Sequence, residues 1–322
     1  GRAQQSLEVI DQALALDPLS VSLYHDQGRA LIYLGRFDEA QQAFDRISQI
    51  NPGNPYAAHG AGFAAVLSGQ LVRAANYSDQ AMQMDLADFE NAASSALIYL
   101  SLGDMDMARQ RVDEALELGP AEPYPLAAQA LYQRQTGNPE RALAIARAAL
   151  ANDLADRWGS EFVFLRLVQA AAIESENHDE ALAWFQRALP EVMALEPQLD
   201  SDNLRKAMDL ALLLQRSGAG DRADAMLRAV ANRYEALYVP GSANYPLGIA
   251  RVSALAALGD HQAALDELER LVVDEHWRIL WQFELATNHA LDPLRQEPRF
   301  VALIQHVRDD LAAQKAAQIP AP

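Results

Sequence analysis

The chain contains no cysteine in its 322 residues, which excludes disulfide bonds, thiol nucleophiles and thiolate metal ligands. Aromatic residues are few, and only Lys206 and Lys315 among the 26 basic residues are lysines. The most apolar stretches, such as residues 92–102, fall far short of the ~20 residues that a membrane span needs. Alternating runs of Val, Ile and Thr, which indicate strands, are missing. Ala, Leu, Glu, Gln and Arg favour helices instead, so the sequence predicts an all-helical protein.

The charge of the chain narrows the range of partners. The formal net charge is −18 at pH 7. Because a polyanionic surface repels phosphate, this charge argues against nucleic acid and against anionic membrane surfaces as partners of this segment. The acidic residues also have a simpler interpretation, in which they only keep a helical surface soluble.

Three series of residues recur in the first half of the chain, each at intervals of 34 residues. One series consists of Gly35, Gly69, Gly103 and Gly137. A second consists of Ala40, Ala74, Ala108 and Ala142. A third consists of Pro18, Pro52, Leu86, Pro120 and Leu154. We expect the glycines to end the first helix of each unit in the left-handed conformation and the prolines to stop the second. The alanines are expected where two helices cross closely.

The shared interval and these residues resemble the tetratricopeptide repeat, a helix–turn–helix unit of about 34 residues. The resemblance implies an all-α superhelix, a solenoid in which each repeat packs on its neighbours. Residues 1–154 then form the regular part, with a partial repeat at 1–18 and full repeats at 19–52, 53–86, 87–120 and 121–154. The partial repeat supplies only a second helix, so we expect the chain to be a piece of a longer protein.

The spacing of the repeats changes after residue 154. Ala181, Ala223 and Ala264 take the place of the tight alanine, at intervals that are longer and unequal. Residues 155–322 are therefore predicted to form divergent helical pairs that end in a capping helix. The expected pairs span roughly 155–197, 198–238 and 241–273, and the clearest loop spans 239–248.

The C-terminal part carries a second resemblance. The stretch "DPLRQEPRF", Asp292 to Phe300, resembles the end of tetratricopeptide regions in bacterial signalling proteins. In such proteins the repeats follow an effector, either a winged-helix transcriptional regulator or a class III nucleotide cyclase. The resemblance implies a bacterial protein, with a homodimer as one way of passing a signal. The absence of cysteine suits either the cytoplasm or the periplasm, so the compartment stays open. No residue of an effector domain is present in this sequence.

The sequence shows no pattern that indicates catalysis or a bound cofactor. The seven histidines occur without an H-E-x-x-H arrangement, and the serines occur without a G-x-S-x-G turn. We therefore predict a non-enzymatic protein with no catalytic residues, no metal site and no cofactor.

The resemblance also indicates which residues face a partner, because the first helix of each tetratricopeptide repeat lines the concave surface. The predicted partner-binding residues are His25, Arg29, Tyr33, Tyr56, His59, Phe63, Glu90, Leu97, Tyr124, Leu131 and Arg134. This wall is aromatic and aliphatic with isolated charges, so it favours an amphipathic helix or an extended apolar peptide. Two other outcomes stay open: the superhelix fills part of the groove with its own next turn or its C-terminal helix, or the groove has no role.

Two functions follow from these observations. The first is a protein- or peptide-binding module that serves as the sensor or scaffold region of a larger bacterial signalling protein. The second is a structural assembly factor that holds subunits of an envelope or secretion complex.

Overall fold

The computed structural model describes residues 2–84, 88–152, 159–194, 197–238 and 245–317, and every regular element in these ranges is a helix. Several predictions concern positions outside these ranges, namely Leu86, Leu154 and residues 239–244. The predicted division at residue 154 also falls there, so the separation into a regular and a divergent part stays a prediction.

The helices follow one another as hairpins that stack along the chain. In order they are α1 Arg2–Leu16, α2 Val21–Tyr33, α3 Phe37–Ile50, α4 Pro55–Leu67, α5 Leu71–Met84, α6 Phe89–Leu102, α7 Met105–Leu118, α8 Pro123–Gln135, α9 Pro139–Ala151, α10 Ser160–Glu174, α11 Asp179–Ala188, α12 Leu204–Arg216, α13 Gly220–Leu237, α14 Tyr245–Ala257, α15 His261–Glu269, α16 Trp281–Thr287 and α17 Pro298–Ala317. A π-helix (Arg270–Asp274) continues α15, and a 3-10 helix (His289–Leu294) precedes α17. From α2 onward, consecutive helices such as α2 and α3 or α4 and α5 pack on each other and on the next pair.

The glycine series ends the first helix of each regular pair, as predicted. Gly35, Gly69, Gly103 and Gly137 have φ angles of 70°, 74°, 75° and 82°. The residue after each glycine turns back to the helix, as where the Gln70 N–H donates to the Ala65 carbonyl at 2.8 Å. The left-handed conformation lets this bond form, because only glycine adopts it without a steric cost.

The alanine series lies at the crossing of the two helices in each pair. Ala40, Ala74, Ala108 and Ala142 are 0% exposed, and so are Ala181, Ala223 and Ala264 in the later pairs. A larger side chain at these places would hold the helices apart. The alanine prediction is therefore confirmed in the regular pairs and in the later pairs, whose spacing is different.

One large buried side chain packs between the first two full pairs. Phe44 on α3 is 1% exposed, and its ring lies between Gly28 on α2 and Gly60 on α4. A Cβ atom added at Gly28 would lie 2.5 Å from the ring, and one added at Gly60 would lie 2.6 Å from Cδ1. The absence of side chains at both glycines thus creates the space that the ring fills.

The end of the chain does not continue the stack but returns to its middle. We call residues 276–317 the C-terminal segment. The Leu280 N–H donates to Ser101 Oγ (2.8 Å), and the side chains of Trp281 and Gln282 donate to the Ser101 carbonyl (3.0 and 2.9 Å). Lys315 Nζ donates to the Leu102 carbonyl at 2.6 Å. These donors satisfy carbonyls at the end of α6 that have no partner within the helix, and a cation there also suits the helix dipole.

The same segment reaches the turn between α4 and α5. Gln314 donates to the Gly69 carbonyl (2.8 Å) and accepts from the Val72 N–H (3.3 Å). The backbone of His276 lies so close to Gly69 that an added Cβ atom would be 2.8 Å from His276 Cβ and closer still to its carbonyl oxygen. Gly69 therefore has two tasks, ending α4 and making room for the returning chain.

A matched pair of substitutions separates these two tasks. Gly103→Ala is expected to cost roughly 1–2 kcal/mol of unfolding free energy, because its φ is 75° and open space surrounds the new methyl group. Gly69→Ala, at nearly the same φ, is expected to cost about 1 kcal/mol more, because the methyl group overlaps the His276 backbone. Urea unfolding measures both values. Equal losses at the two glycines would mean that the segment does not press on Gly69.

Candidate functional site

Three aromatic side chains stand exposed on the first helices of the first two full pairs. Tyr33 on α2 is 65% exposed, and Tyr56 and Phe63 on α4 are 68% and 51% exposed. We call these three residues the aromatic stripe. His25 lies beside it, with its ring edge-on to Tyr56 at a centroid distance of 6.4 Å. Exposed aromatic rings in a concave surface are the side chains that most often anchor a partner.

A histidine connects α4 to α6, the next first helix along the same wall. The Nδ1–H of His59 on α4 donates to Asn91 Oδ1 on α6 at 2.7 Å. Asn91 in turn donates to Asp88, the residue that caps α6 by accepting from the Glu90 N–H. This chain of bonds joins the second and third pairs at their concave side.

Beyond His59 the wall deepens into a cavity of about 660 Å³, which we call the central cavity. First helices α4, α6, α8 and α10 form one side, and residues 201–206 with Ile279 and Leu280 form the other. Its apolar lining includes Phe63, Val66, Leu97, Leu131, Phe162 and Ile279. A volume of this size, apolar walls and a few polar groups are the usual properties of a ligand site.

Leu280 closes the cavity in a strained conformation. Its φ is 56°, in the left-handed region that a side chain disfavours. The hydrogen bond from its N–H to Ser101 holds it there, at the first residue before α16. Strain of this kind occurs most often where a protein clamps a ligand.

The two cations that line the cavity are each paired with a carboxylate. Lys206 Nζ lies 2.7 Å from Glu161 Oε2, and Arg205 donates to Glu284 Oε1 at 2.5 Å. The guanidinium of Arg205 also lies over the Phe162 ring, 3.6 Å from its centroid. The wall therefore presents balanced charge to whatever enters.

Behind this wall lies a group of buried charges that ties α16 to the superhelix. We call Arg166, Arg205, Asp209 and Glu284 the buried charge cluster. Arg166 on α10 donates to Asp209 on α12 (2.7 Å) and to Glu284 on α16 (2.9 Å). Arg166, Asp209 and Glu284 have side chains no more than 3% exposed. Two cations and two anions share this space, which keeps the cluster neutral.

The two buried carboxyl groups respond differently to their surroundings. Burial raises the pKa of Asp209, and the opposing attraction of Arg166 does not fully offset it. Burial acts in the same direction on Glu284, but Arg166 and Arg205 together outweigh it and lower the pKa of Glu284. Since Glu284 has two guanidinium partners, it is the carboxylate whose negative charge the fold stabilises.

The predicted partner-binding residues all lie on the first helices α2, α4, α6 and α8. Those that line the central cavity are His59, Phe63, Leu97, Tyr124 and Leu131. The residues outside its lining are His25, Arg29, Tyr33, Tyr56, Glu90 and Arg134. Of these, Arg134 contacts the C-terminal segment.

At the fourth pair α16 packs on α8, whereas the C-terminal helix α17 contacts α5 and α15. Leu131 is 1% exposed and belongs to the same buried core as Trp281 and Phe283. Arg134 donates to the Ala286 carbonyl (3.0 Å) and pairs with Glu174 (2.7 Å). The chain itself therefore covers part of the predicted groove. Partner binding by the eleven residues stays a prediction.

Sequence reasoning missed the buried charge cluster and the residues of 201–206 that face the cavity. One signal was available. Arg166 interrupts the apolar run of α10, and Asp209 interrupts that of α12. A single charge inside a buried helix needs a partner of opposite sign, although the sequence does not say which one.

Within the described ranges, no group of three or more His, Asp or Glu side chains is placed to hold a metal ion. A helix long and apolar enough to cross a membrane was likewise not found among these residues.

Comparison with known proteins agrees with this geometry. Residues 1–61 match the tetratricopeptide repeat family profile. No curated protein sequence matches the chain at a significant level. Among solved structures, a tetratricopeptide repeat protein from Parabacteroides merdae is similar with a TM-score of 0.54 at 14% identity, over 70% of this chain and 85% of that one.

A chain of the APC/C hetero-tetramer Cut9–Hcn1 is similar to the same degree, with a TM-score of 0.54 at 13% identity. The match covers 70% of this chain and 42% of the Cut9–Hcn1 chain, so less than half of that relative is represented. At these identities the likeness concerns the fold. The chain is an all-α superhelix of helix–turn–helix repeats. Its C-terminal segment, however, packs onto the superhelix's own middle.

Proposed function

We propose that the chain is a non-enzymatic module that binds a segment of another protein on its concave wall. The observation that carries this proposal is the aromatic stripe, three exposed rings of which one, Phe63, also lines the central cavity. Solenoids of helical repeats use their extended concave surfaces for binding, and tetratricopeptide repeats in general are interaction modules rather than enzymes. The match of residues 1–61 to the repeat profile supports this assignment.

The partner segment is an amphipathic helix or an extended apolar stretch. The chain's own C-terminal segment supports this choice, because its short helix α16 packs on α8, the first helix of the fourth pair. Trp281 and Phe283 on α16 belong to the same buried core as Leu131 on α8. The places that remain open on α2 and α4 offer the same kind of surface, so a partner with similar side chains fits them.

The role of this binding is that of a sensor or scaffold in a bacterial signalling protein. The cavity has walls from α4 to α10 and from the C-terminal segment, so a bound partner contacts early repeats and the C-terminal segment at once. The resemblance of Asp292–Phe300 to signalling proteins supports the same role. A homodimer, the other association considered from the sequence, stays a prediction.

A peptide library displayed on phage tests the proposal directly. Selection on the wild-type chain is expected to enrich segments with apolar residues at helical or alternating spacing. A Tyr56→Ala, Phe63→Ala double variant is expected to bind a selected peptide at least about tenfold more weakly, because aromatic anchors carry most of the binding energy. Fluorescence anisotropy with the labelled peptide gives the affinities.

The matched control is a Val9→Ala, Leu16→Ala double variant, which truncates two exposed apolar side chains on α1 (65% and 89% exposed), away from the stripe. Its affinity is expected to equal that of the wild type, and circular dichroism verifies that both variants remain folded. Selection without any apolar enrichment, or equal binding by the two double variants, would refute the proposal.

A further inference from the structure

We infer that the central cavity is the anchor site of the bound segment and that it accepts an apolar group without a negative charge. This inference rests on the proposed function and makes it more specific. It names the part of the partner that enters the cavity and the chemistry that the cavity selects.

The position of the cavity makes it the end of the binding path. Phe63 belongs to the aromatic stripe and also lines the cavity, so the open wall and the cavity are continuous. At about 660 Å³ the cavity is large enough for several apolar side chains of one segment. Leu97 and Phe162 face this space and offer apolar surface on two sides.

The charges around the cavity select against a negatively charged group. Lys206 is held by Glu161 and Arg205 is held by Glu284, at 2.7 Å and 2.5 Å. A carboxylate entering the cavity would have to displace one of these partners, and Asp202 in the lining would repel it. It would otherwise be a desolvated charge without a partner, which is costly. An apolar group disturbs neither pair.

Two other occupants are disfavoured by the structure. The C-terminal segment already forms a wall of the cavity through Ile279 and Leu280, so its described residues do not also fill it. A second copy of the chain would bring together two molecules that each carry a net charge of −18. A segment of a different protein is the occupant that remains.

A group bound in the central cavity is also expected to affect the stability of the fold around it. The lining residues come from α4 and α6, from 201–206 and from the strained turn at Leu280. A group that contacts all of them stabilises the closed arrangement, since it binds only where these walls are together. Binding therefore strengthens the attachment of the C-terminal segment.

Three matched tripeptides test the selectivity on the wild-type chain. The probes are acetyl-Leu-Trp-Leu-amide, the same peptide with a free C-terminal carboxylate, and the same peptide with a free N-terminal ammonium group. Ligand-observed NMR titration is expected to show the fully blocked peptide binding at least tenfold more tightly than the peptide with the free carboxylate. The ammonium peptide is the control for the loss of a blocked end, and its binding is not expected to be weakened in this way, because Asp202 lines the cavity. Equal affinity of the blocked and carboxylate peptides, or tighter binding of the carboxylate peptide, would overturn the inference.

A pair of variants tests the location. Leu97→Trp adds bulk inside the cavity and is expected to reduce binding of the blocked peptide at least tenfold. Leu118→Trp adds the same ring at the exposed end of α7 and is expected to leave binding unchanged. Unaltered binding to the folded Leu97→Trp variant would place the peptide elsewhere and overturn the inference. If the Leu97→Trp variant does not fold, the three-peptide comparison on the wild-type chain still tests the inference.

These experiments distinguish a failure of the anchor-site inference from a failure of the proposed function. If phage-selected segments bind through Tyr56 and Phe63 but the tripeptides ignore the cavity, the anchor site is wrong and the interaction module stands. If neither the selected segments nor the tripeptides bind, both are wrong.

Discussion

Replacing Glu284 by glutamine is expected to lower the free energy of unfolding by about 3–5 kcal/mol. The substitution keeps the shape of the side chain but removes a charge that Arg166 and Arg205 both contact. Asp209 then faces two guanidinium groups alone, and one positive charge stays buried without compensation. Because Glu284 lies on α16, the loss falls on the attachment of the C-terminal segment.

Urea unfolding with matched variants distinguishes this effect from a general loss of charge. Glu39→Gln removes the partner of Arg36 in an exposed pair on α3 and is expected to cost no more than about 1 kcal/mol. Asp209→Asn is expected to cost less than Glu284→Gln, because Asp209 pairs with one guanidinium group whereas Glu284 pairs with two. A Glu284→Gln loss no larger than that of Glu39→Gln would contradict the role assigned to the cluster.

The same carboxylate gives the prediction a pH dependence. The folded state lowers the pKa of Glu284 from an ordinary value of 4.5, so its contribution is fully present above about pH 4.5. It is lost as the pH falls through the lower pKa of the folded state. The stability difference between wild type and Glu284→Gln is therefore expected to shrink in acid, where the wild-type carboxyl group also becomes neutral.

The second large effect is expected at Phe44, where alanine should cost about 3–5 kcal/mol. The ring is fully enclosed between the glycine backbones of α2 and α4, and the glycines have no side chains that could move into the space. Truncation therefore leaves a void between the first two full pairs. Thermal and urea unfolding measure the loss.

Phe63→Ala is the natural control, since it makes the same chemical change at a ring that is 51% exposed. Its effect on stability is expected to stay within about 1 kcal/mol, in keeping with substitutions at exposed positions. Its effect on partner binding is expected to be large. Similar stability losses at Phe44 and Phe63 would show that the ring between the two glycines is not the main contact joining the pairs.

The repeating part of the fold could be predicted from the sequence because each unit places glycine and alanine at the same structural positions. Each glycine with positive φ in the regular pairs, and each fully buried alanine at a helix crossing, lies where its series placed it. The later alanines Ala181, Ala223 and Ala264 are also fully buried, although the spacing between them is different. Periodicity was sufficient here, since contacts between neighbouring helices depend on residues close together in the chain.

The return of the C-terminal segment has no such signal. Ser101 accepts hydrogen bonds from residues 179 to 181 positions away, and no pattern in the sequence marks that pairing. The concave residues were therefore predicted as one continuous wall, whereas the structure places some of them, Leu131 included, in the lining of the central cavity. Arg134 contacts the C-terminal segment.

The hydrogen bond from Gln314 to Gly69 joins residues 245 positions apart. In an open solenoid, repeats unfold one at a time from the ends, because each depends only on its neighbours. Here the second full repeat is joined to the last helix, so we expect the repeats between residues 69 and 314 to unfold together. The helices α1–α3 lie outside this loop and can still unfold from the N-terminal end. Contacts of such high sequence separation also make folding slow, because most of the chain must be ordered before its two distant parts meet.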